Sequence, residues 1–530
     1  MSDTAPRATA PLPGSLEHWA AHTPNAPALC EGTRWLSYAE WNTQADRLAE
    51  VLAADGGVTA GENLALCMHN RLEWFVTQAA AAKLGARLVP ISSRLTPAEV
   101  HYIAADCGSR VLLFDSDDAE ALCRVWTDQP PTERASAVRL AIGVLPSTRS
   151  DVRSFAALVS SGPAPQRLSQ RPPRSIVYTS GTTGRPRGVV HARPAPTTQA
   201  PSARRRTTLD PPSAATSDLV RNLLGAPLNH AAGQASARAT HAIGGCVYIM
   251  PRFDAATALA LIDREKITTS FLVPTMLNRI VNLPRALLDA YDVSSIVRLA
   301  TGASPCPQSI KEQVIAYFGA HCLVEGYGTT EVGIIARMHP DDHLTKPGSC
   351  GRVLDEVDVQ IRADDGRVLP AGEVGEIFVR SPHMIERYLN EAPPEELVDG
   401  YFATGDMGRF DTDDYLYVVD RKKDMIIGGG VNIYPAEIED VLRKHTAVLD
   451  AAVFGIPHPD LGEQVKAVVE LVPDQRTSEA ELIAFVSDHL APYKRPRSID
   501  IVPEIPRNPA GKVLKRQLRE PYWDGTGSAI

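Results

Sequence analysis

The chain has 530 residues, which is too long for one hydrophobic core, so we expect two or more domains. Hydrophobic residues make up 44% and charged residues 22% of it, a composition typical of a globular protein. The formal net charge of −9 argues against nucleic acid as the main partner, because there is no general excess of cations to neutralise phosphates. A small anionic ligand in a local basic pocket stays compatible with this charge.

The cysteines and the N-terminus indicate the compartment. The eight cysteines are scattered and form no Cys-x-x-Cys pair, which favours reduced thiols in a cytosolic protein. Residues 1–13, which we expect to be flexible, carry Asp3 and no apolar segment, so they do not resemble a secretory signal. No stretch is apolar over the length of a bilayer. We therefore predict a cytoplasmic protein without a membrane partner.

Helices and strands alternate in the first part of the chain. Thr96 and Glu99 form a capping box with Pro97 at the first helical position, and a glycine then precedes the apolar strand Val111–Phe114. Residues 79–91 have the same order of helix, glycine and strand. Repeated units of this kind predict an α/β fold, in which helices cover both faces of parallel sheets.

Residues 193–217 interrupt this alternation. They are rich in proline, alanine, threonine and arginine, and Arg204–Arg206 are consecutive. We expect a flexible surface loop here. The alternative is that the three arginines attract an anionic substrate or the phosphates of a coenzyme.

The chain changes character again near Lys423, where it is charged and poor in apolar residues. A new unit follows, with a helix predicted over residues 436–444, a strand over 452–455 and a second helix capped by Ser478. We therefore predict three further parts of the chain: a large domain of residues 14–422, a small α+β lid domain of residues 423–520 and a tail of residues 521–530.

A candidate phosphate-binding loop follows the apolar strand 176–178. Residues 179–188 contain three glycines and four hydroxyl side chains, so the backbone can turn tightly and direct N–H and O–H donors at an anion. The spacing does not match a Walker A motif. The proposed phosphate contacts are Thr179, Ser180, Gly181, Thr182, Thr183, Gly184 and Arg187.

This loop resembles the signature loop of the adenylate-forming superfamily, which includes acyl- and aryl-CoA synthetases, luciferases and the adenylation domains of peptide synthetases. The resemblance implies that the loop contacts the β- and γ-phosphates of ATP. The family usually has lysine at the position of Arg187. The charge is kept, but a planar guanidinium makes different contacts from an ammonium.

Other family blocks follow in order between residues 16 and 516. Residues 301–304 resemble the wall of the adenine pocket, which implies nucleotide contacts from Gly302, Ala303 and Ser304. Residues 401–406 resemble the block whose aspartate, here Asp406, holds both ribose hydroxyls.

Residues 325–331 resemble the block between these two. The resemblance implies that Tyr327 stacks on adenine, that Gly328 borders the acid and that Thr330 contacts the α-phosphate. Glu331 would bind Mg²⁺, which prefers carboxylate oxygens.

Three blocks resemble segments that change position during the reaction in enzymes of this family. Residues 420–427 resemble the hinge, with Arg421 on the nucleotide and Lys423 as the pivot. Residues 428–437 resemble the loop beside the pantetheine tunnel, where Gly429 and Gly430 leave room for a thin chain. Residues 506–512 resemble the loop that carries the catalytic lysine, here Lys512.

The acid site is indicated by residues 227–230. His230 matches the histidine of an aromatic–His pair in the family, whereas Asn229 replaces the bulky aromatic residue. Small residues follow at 231–233 and at 244–246. They favour a flat aryl or medium-size acid.

The implied reaction has two halves. A carboxylate attacks the α-phosphorus of ATP with Mg²⁺ present and pyrophosphate leaves, and the adenylate is then transferred to coenzyme A. The enzyme would be a monomer or homodimer with small-molecule partners. The alternatives are a carrier protein or an amine as acceptor, nitrite as the acid, or a non-catalytic binding protein, which the retained Lys512, Glu331 and Asp406 disfavour.

Overall fold

In the computed structural model the described residues are 11–115, 121–123, 138, 140–147, 149–161, 165, 167, 173–180, 186–192, 220–429, 431–508 and 512–523. The predictions for Gly181, Thr182, Thr183, Gly184, Gly430, residues 1–10, residues 193–217 and residues 524–530 lie outside them, as does the side chain of Ser180.

The chain packs as two units, each built from separate segments. The first contains Met1–Leu272, Arg279–Ala300 and Ile385–Pro394, and the second contains Val273–Asn278, Thr301–Met384 and Glu395–Ile530. The predicted boundary at Lys423 stays a prediction.

Parallel strands dominate the first unit. One sheet has the order β7-β6-β5-β3-β4-β8, and each of these pairs is parallel. A second group has the order β13-β11-β12-β1-β2, and β9, β10 and β20 form an antiparallel group. The strands are β1 (Pro27–Glu31), β2 (Arg34–Ser37), β3 (Asn63–Cys67), β4 (Arg87–Ile91), β5 (Val111–Phe114), β6 (Leu140–Gly143), β7 (Val152–Ser154), β8 (Arg174–Ser175), β9 (Val177–Ser180), β10 (Pro186–His191), β11 (Arg221–Leu224), β12 (Cys246–Ile249), β13 (Thr269–Phe271), β14 (Arg298–Gly302, which ends in the second unit) and β20 (Ile385–Tyr388).

Local signals predict two helices of this unit, and the structure has both, although the first begins at Leu72 rather than at residue 79. Thr96 accepts a hydrogen bond from the backbone N–H of Glu99, so the predicted capping box is confirmed, and Gly85 ends the preceding helix in the left-handed conformation with φ +69°. The helices are α1 (Leu16–His22), α2 (Tyr38–Ala54), α3 (Leu72–Leu84), α4 (Pro97–Asp106), α5 (Phe155–Ser160), α6 (Ala231–Ala242), α7 (Ala255–Glu265), α8 (Pro274–Val281, which starts in the second unit) and α9 (Arg285–Leu288).

Antiparallel strands dominate the second unit. One group has the order β18-β19-β22-β23-β17-β16-β15, with β21 beside β22, and another has the order β25-β24-β27-β26, with β28 parallel to β27. The strands are β15 (Leu323–Thr329), β16 (Gly333–Met338), β17 (Gly351–Val353), β18 (Asp358–Arg362), β19 (Gly375–Arg380), β21 (Leu397–Val398), β22 (Tyr401–Phe410), β23 (Tyr415–Arg421), β24 (Ile426–Gly428), β25 (Val431–Ile433), β26 (Val448–His458), β27 (Gly462–Leu471) and β28 (Ser498–Val502). The helices are α10 (Gln308–Phe318), α11 (Pro435–Leu442), α12 (Glu479–His489) and α13 (Lys515–Trp523).

The helix predicted over 436–444 is α11, the strand predicted over 452–455 is part of β26, and Ser478 caps α12 in a capping box with Glu481. The predicted tail starts too early, because α13 continues to Trp523. The indole Nε1 of Trp523 donates to the carbonyl of Gly455 over 3.1 Å, which holds this end of the chain on β26. Across the described part of the chain, none of the helices combines the length and the apolar character that crossing a bilayer requires.

Candidate active site

The candidate phosphate loop connects two strands of the first unit. β9 and β10 pair antiparallel, with Thr179 opposite Arg187, so residues 181–185 join the two strands at one end of the pair. A Cβ at Gly188 would lie 2.9 Å from both Ile176 and Tyr178. Glycine at this position therefore lets the two strands approach closely.

Arg187 is packed against an aromatic ring. Its guanidinium carbon lies 3.7 Å from the ring centroid of Tyr388, and its Nη1 atom lies 3.7 Å from a carboxylate oxygen of Glu391. A planar guanidinium can stack on a ring in this way, whereas an ammonium cannot. The stacking gives a physical reason for arginine at this position.

The acid loop, residues 226–230, follows β11 in the same unit. His230 precedes α6 as its N-cap residue, and Asn229 and His230 are both half-buried. In the parallel pair β11–β12, Arg221 lies opposite Cys246 and Leu224 opposite Ile249, so the acid loop extends from the carboxyl ends of these strands.

This register corrects the predicted acid pocket. Gly244, Gly245 and Cys246 lie at the amino end of β12, the opposite edge of the sheet from His230. A Cβ at Gly244 would lie 3.1 Å from the Trp19 ring. These three small residues serve close packing in the core, and the prediction that they shape the acid pocket is wrong.

In the second unit, Asp406 is the centre of a compact polar group. The hydroxyl of Tyr327 donates to its Oδ2 atom over 2.7 Å, and Nε of Arg421 lies 2.5 Å from its Oδ1 atom. The backbone N–H of Asp406 donates to the hydroxyl of Thr404. Burial and the nearby carboxylate raise the pKa of Tyr327, so the phenol stays protonated and donates.

The segment 301–304 runs close to β15. A Cβ at Gly302 would lie 2.4 Å from the carbonyl oxygen of Gly326, so only glycine fits there. Ala303 has φ +69°, which an L-residue seldom adopts. The close approach places this backbone directly beside the strand that carries Tyr327, as a wall for a flat ring requires.

Thr330 and Glu331 lie in the turn between β15 and β16, and both are half-buried. Among the described residues no group of three or more His, Cys, Asp or Glu side chains could hold a metal ion by itself. Mg²⁺ in nucleotide sites is typically held by one or two carboxylates together with substrate phosphates. One carboxylate in a half-buried turn fits this form of binding.

Lys512 is paired with Asn508 by two hydrogen bonds. Its backbone N–H donates to Oδ1 of Asn508 over 2.9 Å, and its carbonyl accepts from the N–H of Asn508 over 2.8 Å. Arg507, beside Asn508, forms an ion pair with Asp450, which also accepts from Nε of Arg443 over 2.7 Å. The ion pair therefore fixes Arg507, and Asn508 next to it, to β26.

The electrostatic neighbours of Lys512 include the nucleotide residues of the same unit. Its side chain keeps contact with solvent, but desolvation by surrounding protein lowers its pKa, as do the positive charges of Arg421 and Lys423. Asp406 and Glu331 act in the opposite direction. The second unit therefore brings Lys512 close to three of the predicted nucleotide and metal residues.

The predicted hinge is a single turn of 3₁₀ helix, Lys422–Asp424, in which the carbonyl of Lys423 accepts from Arg519 over 3.5 Å. Asp420, just before it, accepts from the backbone N–H of Ala436 over 2.9 Å. Burial raises the pKa of Asp420 to about 6. Gly429 has φ +61°, which glycine adopts without strain.

One part of the site was missed by sequence reasoning. Nζ of Lys311, on α10, lies 2.5 Å from Oε2 of Glu325, two residues before Tyr327, and both side chains are almost fully buried. Burial alone would lower the pKa of Lys311, but Glu325 raises it. The amphipathic pattern of α10 gives no sign of a buried cation, so only the three-dimensional structure reveals this pair.

Replacing Lys311 by methionine should destabilise the protein by about 3–5 kcal/mol, because the Glu325 carboxylate would stay buried without its partner. Urea unfolding followed by fluorescence measures this difference. The double variant Lys311→Met/Glu325→Leu should recover most of the loss, and Lys266→Met, which breaks an exposed pair with Asp263, should cause no measurable change. Equal midpoints for wild type and Lys311→Met would contradict the expectation.

Comparison with known proteins identifies the family of the chain. The sequence profile of AMP-binding enzymes matches residues 16–389, and that of the AMP-binding enzyme C-terminal domain matches residues 437–512. A long-chain-fatty-acid–CoA ligase of Mycobacterium tuberculosis is 37% identical over 92% of this chain and 93% of its own length. A feruloyl-CoA synthase of an Amycolatopsis species is 33% identical over 94% of this chain and 96% of its own.

Solved structures of similar proteins cover nearly the whole chain. The amide bond synthetase McbA from Marinactinospora thermotolerans superposes with a TM-score of 0.79 at 29% identity, over 94% of this chain and 97% of that one. An anthranilate CoA ligase in complex with anthranoyl-AMP superposes with a TM-score of 0.81 at 25% identity, over 96% of both chains. The predicted α/β fold is confirmed, and the chain belongs to the AMP-binding enzymes of the adenylate-forming superfamily.

Proposed function

We propose that this protein is an AMP-forming acid–CoA ligase that activates an aryl or medium-size carboxylic acid. The observation that carries the proposal is the group around Asp406, in which Tyr327, Arg421, Glu331 and Lys512 are electrostatic or hydrogen-bonding neighbours within one unit. Adenylation requires three kinds of group: an acceptor for the ribose hydroxyls, a carboxylate for a phosphate-bound cation and a lysine for the developing charge.

The first half-reaction joins two anions, so charge compensation and positioning dominate its catalysis. The acid carboxylate attacks the α-phosphorus of ATP, the bond to the bridging oxygen breaks, and pyrophosphate leaves with the electron pair. Lys512 stabilises charge on the phosphates, and Thr330 donates to the α-phosphate. Bound Mg²⁺, held by Glu331 and the phosphates, would neutralise charge on the leaving group.

The phosphate loop of the first unit offers the kinds of donor that nucleotide phosphates require. Thr179, Ser180, Thr182 and Thr183 offer hydroxyl groups, and Gly181 and Gly184 allow the backbone N–H groups to point at an anion. Arg187 stays beside Tyr388 and contributes positive potential. Gly302, Ala303 and Ser304 border the adenine, on which Tyr327 stacks, while Gly328, Asn229 and His230 border the acid.

In the second half-reaction the thiol of coenzyme A attacks the acyl carbon and AMP leaves. We infer that rotation about Lys423 removes Lys512 and brings the glycines at 429 and 430 beside the pantetheine arm. The relatives named above that are CoA ligases support this acceptor. All eight cysteines lie in the described residues and are free thiols, which supports a cytoplasmic location.

Pyrophosphate release tests the proposal. Benzoate, 4-coumarate, hexanoate and palmitate are each incubated with ATP and Mg²⁺, with and without coenzyme A, and thioesters are identified by mass spectrometry. We expect release with benzoate, 4-coumarate or hexanoate but not with palmitate, and a thioester only when coenzyme A is present. Absence of release with every acid would exclude the function.

An amide-forming enzyme is the second candidate, because the McbA amide bond synthetase is among the similar structures. The same incubations with a simple amine in place of coenzyme A separate the two. An amide product without any thioester would favour this alternative.

The rate of adenylation should begin to fall at a lower pH than the titration of an ordinary lysine would cause. The pKa of Lys512 is lowered, and only the protonated lysine stabilises phosphate charge, so activity should be lost as pH rises through this pKa. The loss should therefore begin below the ordinary lysine value of about 10.4. The ratio kcat/KM for ATP, which reports the free enzyme, is measured by pyrophosphate release from roughly pH 7 to 10. In Lys512→Arg this loss of activity at high pH should disappear. A wild-type rate that does not change over this pH range would contradict the role of Lys512.

Lys423→Pro should separate the two half-reactions. Proline fixes φ and removes an N–H donor in the turn that must change conformation. Adenylation should survive, while transfer from a pre-made adenylate to coenzyme A should collapse. The matched variant Lys423→Ala leaves the backbone free and should retain transfer. Normal turnover of the proline variant would remove Lys423 from the pivot role.

A further inference from the structure

The backbone of the acid loop is held by a buried amide side chain that lies far away in sequence. Asn70, which follows β3, is 5% exposed. Its Nδ2 atom donates to the carbonyl of Ala226 over 3.0 Å and to that of Met250 over 3.3 Å. Its Oδ1 atom accepts from the N–H of Leu228 over 2.9 Å. Both polar ends of the Asn70 amide are therefore used to fix this loop.

A second buried amide holds the same loop from the other side. Gln234, on α6, is 5% exposed, and its Nε2 atom donates to the carbonyl of Leu228 over 2.9 Å. Its Oε1 atom accepts from the hydroxyl of Ser175 over 2.8 Å. Ser175 ends β8 and lies two residues before β9, the strand that leads into the phosphate loop.

These contacts form one continuous path of hydrogen bonds. It runs from Ser175 through Gln234 and the peptide groups of Leu228 to Asn70. In each amide the donor faces a carbonyl and the acceptor faces a hydroxyl or N–H, so neither side chain can flip without losing its partners. A Cβ at Gly233 would lie 2.8 Å from the carbonyl oxygen of Pro227. The backbones of α6 and the acid loop are therefore in direct contact at this point.

We propose that Asn70 and Gln234 are positioning residues for the acid site, and that Ser175 sets Gln234 relative to the strand that leads into the phosphate loop. They act through the backbone of Leu228, next to Asn229 and His230. The acid carboxylate must meet the α-phosphorus within a narrow range of distance and angle. The path holds the acid loop in a fixed position relative to Ser175, at the start of the segment that leads into the phosphate loop, and so supports this alignment. The inference rests on the proposed adenylation activity.

The test compares Gln234→Met, Ser175→Ala and Ser175→Thr with the wild type. Methionine has similar length to glutamine but makes no such hydrogen bonds, and threonine keeps the hydroxyl that alanine removes. Pyrophosphate release is measured against the most active of benzoate, 4-coumarate, hexanoate and palmitate, and separately against ATP. We expect Gln234→Met to raise the KM for the acid by on the order of tenfold, while the KM for ATP stays within about twofold. Ser175→Ala should shift the acid KM in the same direction, and Ser175→Thr should restore it.

Thr240→Val is the matched control on the same helix. The hydroxyl of Thr240 is buried and accepts from Nδ2 of Asn222 over 2.9 Å, but it does not contact the acid loop. This variant should lower the unfolding temperature and leave the acid KM unchanged. An effect on the acid KM as large as that of Gln234→Met would overturn the inference, because any buried hydrogen bond would then have this effect.

The outcomes separate the inference from the function on which it rests. Suppose that the wild type releases pyrophosphate and that Gln234→Met or Ser175→Ala has the wild-type KM for the acid. This result overturns the inference but leaves the proposed function in place. If Gln234→Met fails to fold, the acid KM values of Ser175→Ala and Ser175→Thr test the inference instead. A wild type that is inactive with every acid overturns the proposed function and the inference with it.

Discussion

Replacing Lys512 by alanine should slow adenylation by about 10²–10³-fold and leave thioester formation from a pre-made adenylate nearly unchanged. The ammonium group is an electrostatic neighbour of Glu331 and Asp406, so its loss removes positive charge where phosphate charge develops. The second half-reaction develops no charge on a leaving pyrophosphate and does not need this donor.

The measurement follows each half-reaction separately. Pyrophosphate release reports the first, and consumption of a synthetic acyl-adenylate by coenzyme A reports the second. Lys444→Ala, which removes an exposed lysine from the same unit, should change neither rate. Equal loss of both half-reactions in Lys512→Ala would contradict the assignment of this residue to adenylation alone.

Local signals in the sequence were sufficient for many elements of the fold. The Thr96 capping box, the left-handed glycine at 85 and the apolar run Val111–Phe114 each specify their own conformation, and the structure has all three. The predicted tail begins at residue 521, although the helix 515–523 continues past it and contains Pro521. Packing of Trp523 on β26 holds its end in a helix, which local propensity does not reveal.

The family motifs name candidate residues of the site, but they do not predict the contacts between these residues. Family motifs named Tyr327 and Asp406, yet the bond between them joins residues 79 positions apart. Asn70 and Leu228 are separated by 158 positions, and nothing in either local sequence indicates that they meet. Such contacts depend on how the strands are ordered, and this order is set by packing of the whole unit.

Strand pairing between distant segments also explains why the two units are discontinuous in sequence. Residues 385–394 pack with the first unit because β20 pairs with β10, although the chain on both sides of them belongs to the second. A division made along the sequence cannot place such a segment. The predicted domain boundary at Lys423 stays a prediction, and the Lys423→Pro variant tests the separate prediction that this residue is the pivot.

Asp406→Asn should reduce kcat/KM for ATP by about 10–100-fold, because hydrogen bonds from ribose hydroxyls to a charged acceptor contribute about 1.5–3 kcal/mol. The amide keeps the size of the side chain but loses the charge that pairs with Arg421. It also turns an acceptor-only group into one that presents two donors, so Tyr327 and the ribose would compete for a single oxygen.

Initial rates of pyrophosphate release at varied ATP measure this loss, with the acid saturating. Asp411→Asn is the matched control: Asp411 pairs with Lys346 over 2.9 Å just beyond the far end of β22, and its replacement should leave the KM for ATP unchanged. Tyr327→Phe keeps the aromatic ring and removes only the donor to Asp406, so its effect on ATP should be smaller than that of Asp406→Asn. If Asp406→Asn bound ATP as well as the wild type while Tyr327→Phe did not, the carboxylate would serve to orient the tyrosine and the ribose would be held elsewhere.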